Sequence, residues 1–118
     1  MTPDAFHRAA LGLKAVTCDV RWGADQVYSV GGKMFAVAGP IGDPDLTYAF
    51  KASEVAFEML TQSGIARPAP YLARAKWVKL VAADTLPDDD LKAYLGRAHS
   101  IVAATLTRKL RAELGLPV

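Results

Sequence analysis

The segment VYSVGGKMFAVA, residues 27–38, constrains the fold more than any other part of the chain. Strand-forming residues flank Gly31-Gly32, and two adjacent glycines can take the positive φ angles of a tight primed turn, so the segment reads as a β-hairpin. Just before it, Val16, Cys18, Val20 and Trp22 alternate with Thr17, Asp19 and Arg21. That period of two describes a half-buried strand, and Gly23-Ala24-Asp25 then turns the chain. After the hairpin, GPIGDP (39–44) is a loop by composition. Leu46, Tyr48 and Phe50 next alternate with Thr47, Ala49 and Lys51 in a further strand. Sequential strands usually pair, which predicts an antiparallel meander of four strands.

Helices frame this meander. Thr2-Pro3 is a helix start, with Thr as cap and Pro at the first helical position. Phe6, Ala9, Ala10 and Leu13 follow at helical spacing. Ser53 caps a second helix with Glu54 in its first turn, and Gly64 ends it. Residues 65–75 read as loop and 76–81 as a fifth strand. A long last helix is expected from about Leu86-Pro87, with Asp88, Asp89 and Asp90 at its positive end. Leu91, Leu95, Ala98, Val102, Leu106 and Leu110 form its apolar stripe. The order predicts one α+β domain over residues 1–118. It would be a two-layer sandwich, an antiparallel sheet of about five strands with helices on one face and the other face at least partly open.

Several functional classes find no support in the sequence. No apolar run approaches the roughly 18–20 residues of a membrane span. MTPDAFHRAA lacks the apolar region of a signal peptide. Cys18 is the only cysteine, so no internal disulfide can form, which fits a cytoplasmic setting. His7 and His99 fall on separate predicted helices without ligands at zinc spacing. No nucleophile-elbow, P-loop or dinucleotide glycine pattern occurs. The expectation is a non-enzymatic, cytoplasmic monomer without cofactor or metal.

Charge is informative through its placement. The net formal charge is only +2, yet Gly64 to Leu80 carries Arg67, Arg74, Lys76 and Lys79 with no acid. Such a local field attracts phosphates or acidic proteins. Alternation puts Val78 and Leu80 in the core, and Trp77 with Lys79 on the open face. An aromatic beside cations is what a stacking platform for bases requires; it would equally serve a protein-interaction hot spot. Lys33, after the hairpin turn, and Lys51 are placed on or beside the same surface. The candidate nucleic-acid-binding set is therefore Lys33, Lys51, Arg74, Lys76, Trp77 and Lys79. A protein-interaction adaptor using the open face around Trp77 is the alternative. A small-ligand site would show instead as a concave, largely apolar cavity.

RWGADQVYSVGGKMFAVAG (21–39), LTYAFKAS (46–53), PAPYLARAKWVKL (68–80) and LPDDDLKAYLGRAHSIVAATLTRKLRAEL (86–114) together resemble the MmcQ/YjbR family of small bacterial proteins. The resemblance spans essentially the whole chain. It implies a frataxin-like (CyaY-like) fold and the DNA-binding role with which family members are usually labelled. The chain departs from many relatives at Tyr71-Leu72-Ala73-Arg74, where they often carry His-Met-Asn-Lys, so that only the positive charge is kept, at Arg74. It departs again at His99-Ser100-Ile101-Val102, where the family's Tyr is absent.

Overall fold

The computed structural model describes all 118 residues. In chain order the elements are α1 (Pro3–Leu11), β1 (Val16–Arg21), β2 (Asp25–Val30), β3 (Lys33–Gly39), β4 (Thr47–Lys51), α2 (Glu54–Gln62), β5 (Ala66–Pro68), β6 (Trp77–Leu80), α3 (Asp88–Ala103) and α4 (Arg108–Leu114). All strand pairs are antiparallel, in the spatial order β1-β2-β3-β4-β6-β5. The α+β class and the four-strand meander are as the sequence reading expected. The sheet has six strands, however, because three residues of the expected loop, Ala66–Pro68, pair with β6 as its edge strand.

The two faces of the sheet differ in what covers them. Cys18, Tyr28, Ala36, Phe50, Val78 and Pro68 form one cross-strand row. Tyr28, Ala36, Phe50 and Val78 from this row belong to a buried cluster with Phe6 and Ala10 of α1, Leu60 of α2, and Leu91, Leu95 and Ala98 of α3. The helices thus lie on one face. Each large apolar side chain buried there contributes about 2 kcal/mol. The row one step along runs Asp19, Val27, Val37, Ala49, Lys79 and Arg67 on the opposite face. That face carries the candidate site.

The hairpin forms as its glycines demand, with φ of +58° at Gly31 and +81° at Gly32. A register shift after Tyr28 leaves Phe35 as the extra residue of a β-bulge. Phe35 is fully buried, its ring edge-on to His99 at 5.4 Å. The His99 Nε2 lies 2.8 Å from the Lys14 carbonyl, which ties α3 to the chain leaving α1.

The expected single last helix is two helices. Thr105 Oγ1 donates to the Val102 carbonyl (2.7 Å), and Thr107 Oγ1 accepts from the Leu110 amide (3.1 Å), ending α3 and capping α4. The apolar stripe survives the break because Leu106 is buried where the hairpin tip meets it. Gly31 packs so closely there that a Cβ would lie 2.5 Å from Leu106 Cδ1.

Candidate nucleic-acid interface

Trp77 points to the face away from the helices, as alternation requires, but it is only 4% exposed. Residues 69–75 fold back against it. The Ala69 amide donates to the Trp77 carbonyl (3.0 Å), and the Trp77 amide donates to the Leu72 carbonyl (3.2 Å). A short 3-10 turn, Ala73–Ala75, follows, and Lys76 closes it in the left-handed conformation at φ +60°. The expectation of an accessible Trp77 is therefore corrected: its backbone holds the returning loop, and its buried side chain has no free face for a base.

The six candidate residues do not form one patch. Lys79 is exposed on the open face, opposite Ala49 on β4 and Arg67 on β5. Arg74 is exposed on the returning loop. Lys51, the register partner of Trp77, is half-buried and donates to the Ala75 carbonyl, so it pins that loop. Lys76 is half-buried with its Nζ 4.9 Å from the centre of the Phe57 ring, a cation–π contact with α2. Lys33 lies at the hairpin tip and donates to Thr105 Oγ1 at 3.2 Å, where α3 gives way to α4. Only Arg74 and Lys79 stand free on or beside the open face, joined by Arg67.

Two aromatic residues take up the exposed position assigned to Trp77. Tyr71 is fully exposed and Trp22 is 66% exposed. Both have positive φ, +65° and +52°, a region unfavourable for side chains with a Cβ. Trp22 was expected at the end of a half-buried strand. It lies instead in the β1–β2 turn, beyond the last residue of β1.

Between these aromatics the open face is hollow. A cleft of about 560 Å³ is lined by Met34, Val37 and Ala49 from the sheet, with Ala69, Pro70, Tyr71 and Leu72 from the returning loop. Trp22, Gly39 and Pro40 line it from the meander side, and Asp25, Thr47 and Lys79 supply its polar groups. Thr47 Oγ1 is engaged, donating to the Leu80 carbonyl at 3.1 Å. The Ile41 amide donates to the Ala24 carbonyl (2.7 Å), holding the loop after β3 against the β1–β2 turn. Size and lining match ordinary ligand clefts, mostly apolar with a few polar groups.

Elsewhere, Cys18 is half-buried beside Tyr28, its register partner, and burial pushes its thiol pKa up, with the Asp19 carboxylate adding to it. That is the opposite of an activated thiolate. Tyr28 Oη donates to Gln26 Oε1 (3.1 Å) and lies 2.8 Å from His7 Nδ1. No three His, Cys, Asp or Glu side chains converge as a metal site would need. No helix is long and apolar enough to cross a membrane.

The chain is similar to the crystal structure of a Deinococcus radiodurans protein with the domain DUF419. That likeness has a TM-score of 0.86 at 24% identity and covers 98% of this chain and 89% of that one. It bears on the fold alone. Comparison with curated proteins found no match. The family model YjbR matches residues 11–101, from the end of α1 into the last turn of α3, with the whole sheet between. The chain belongs to the YjbR family.

Proposed function

We propose that this protein is a non-enzymatic binding module that holds nucleic acid on the open face of its sheet. The contacts are mainly electrostatic and weakly sequence-specific. One observation carries the reading: Arg67 and Lys79 are cross-strand partners on the face that no helix covers, and Arg74 is exposed on the adjoining loop. No carboxylate occurs between Gly64 and Leu80. Three cations from a segment that holds no acid suit a phosphate backbone. Lys51, Lys76 and Trp77 act beneath this surface by fixing the loop, and Lys33 lies apart from it. A sheet face of this kind has no helix to insert in a major groove, so sequence is read weakly.

Fluorescence anisotropy of labelled DNA across a salt series tests the reading. Three phosphate contacts predict a log–log salt slope of about −2 for a single strand. Lys79→Glu should weaken binding at every salt concentration and flatten that slope. Salt-independent binding, or none at low salt, contradicts the proposal.

The alternative is a protein-interaction adaptor, favoured by the apolar lining of the cleft and the exposure of Trp22 and Tyr71. Aromatic anchors of this type dominate many protein interfaces. A partner bound through them would resist salt.

A further inference from the structure

We infer that the open-face cleft seats one unpaired base of a single strand, flanked by Trp22 and Tyr71, with the adjoining phosphate at Lys79. This rests on the nucleic-acid reading and makes it more specific: electrostatic contacts alone give a single strand no advantage over a duplex.

A convex basic surface suffices for a backbone, whereas this face is concave, with about 560 Å³ of space over Met34, Val37 and Ala49. A base in a duplex is stacked on both sides and cannot enter such a hollow. An unstacked base presents a flat apolar surface to that floor and a polar edge to its rim.

The aromatics add a second, independent observation. Trp22 and Tyr71 both line the cleft, yet they leave most or all of their surface in water. Both sit on backbone at positive φ. Nothing in the fold's own core uses either ring, since neither belongs to the buried cluster. Strained residues with unpartnered aromatic side chains are typical of places where a ligand supplies the missing contact. Tyrosine and tryptophan rings stack on any base, which fits weak sequence preference.

Charge then selects among flat ligands. Lys79 is the one cation lining the cleft, and Arg67 stands beside it across the β5–β6 pair. Asp25 is the one carboxylate lining it. A nucleotide matches this arrangement at both ends: phosphate oxygens accept from Lys79, and a base N–H donates to Asp25. A peptide inserting an aromatic or proline side chain would use the apolar floor but reach Lys79 with an anion only where it also carries an acidic residue, whereas every nucleotide of a strand carries a phosphate.

The test compares, at one low salt concentration, a short labelled DNA strand, the same strand in a duplex, and an abasic strand of equal length. Base stacking predicts that the normal strand binds about tenfold more tightly than either of the others. Trp22→Ala and Tyr71→Ala should each bring strand binding down to the duplex level, and Tyr71→Phe should preserve the margin. Both rings are exposed, so these variants are expected to fold, and circular dichroism checks that they do. Salt-sensitive binding in which the normal strand has no advantage over the other two probes overturns the base seat and leaves the electrostatic reading standing. Failure to bind any of them overturns both. Binding of a free nucleoside monophosphate without binding of the strand overturns the assignment to single-stranded nucleic acid.

Discussion

Trp22 and Tyr71 reach the same cleft from opposite ends of the sheet order, one from the β1–β2 turn and the other from the loop between β5 and β6. Both hold a positive φ. If the strain serves binding, relieving it should separate stability from function. Tyr71→Gly removes both the ring and the Cβ that makes φ +65° unfavourable. Its unfolded chain gains entropy, which offsets part of that relief. The expected result in urea unfolding is a change between zero and about 1 kcal/mol in the stabilising direction, together with weaker strand binding. A clear loss of stability would mean that the Tyr71 side chain supports the fold.

Trp77→Ala should behave in the opposite way. The indole is buried, and the Trp77 backbone bonds to Ala69 and Leu72; truncating a buried aromatic costs about 3 kcal/mol. The loop carrying Tyr71 and Arg74 should loosen with it, so any loss of binding would follow from disorder. Hydrogen exchange at the Trp77 amide, which donates to the Leu72 carbonyl, reports that loosening directly. Wild-type stability in this variant would contradict the anchoring role.

How far the sequence reveals this site is set by the difference between local and long-range physics. The Gly31-Gly32 turn, the alternation through Tyr48 and Phe50, and the caps at Thr2 and Ser53 are local signals, and each element they predict is present. The strand face of Trp77 was also legible, because alternation fixes it. Its burial was not, because that depends on residues 69–75 returning across the sheet. Ala66–Pro68 is short and contains a proline, which fits an edge strand but gives no periodic signal. The break after Ala103 was legible in principle, since Thr105 and Thr107 are poor helix-interior residues and Thr is a good cap. The apolar stripe, continuous through Leu106 and Leu110, masks that signal. Trp22 was misplaced because Val20 and Trp22 continue the alternation beyond the part of β1 that the helices cover; both are exposed.

Gly31 offers a test of the frame that holds the site. Its φ is +58°, and Leu106 occupies the space a Cβ would need. Gly31→Ala therefore adds backbone strain to a steric clash and should cost about 2 kcal/mol. Differential scanning calorimetry would show the lowered Tm. The same variant should disturb the Lys33–Thr105 contact at the α3–α4 junction while leaving strand binding at the open face intact.

Alkaline pH should unfold the protein through its buried tyrosines. The Tyr48 hydroxyl donates to the Met1 carbonyl at 2.7 Å, and burial, with the Asp88 carboxylate adding to it, pushes its pKa up to about 12. Burial also raises Tyr28, with Cys18 contributing. An unfolded tyrosine ionises near pH 10. Between that value and about 12 the unfolded state holds fewer protons than the folded one, so stability falls as pH rises. Below pH 10 this contribution is fully present. Stability followed by fluorescence from pH 8 to 12 should decline only in the upper half of that range. Tyr48→Phe should reduce the decline while costing about 1 kcal/mol at neutral pH for the lost hydrogen bond.

The central claim is that the helix-free face of the sheet binds nucleic acid through its cleft. A titration of isotopically labelled protein with a short DNA strand, followed by amide and indole NMR shifts, tests it most directly. The predicted result is a set of changes concentrated at Val37, Ala49, Tyr71, Lys79 and the Trp22 indole, with the buried Trp77 indole moving little. Saturating changes confined to the helical face, or no changes at low salt, would contradict it.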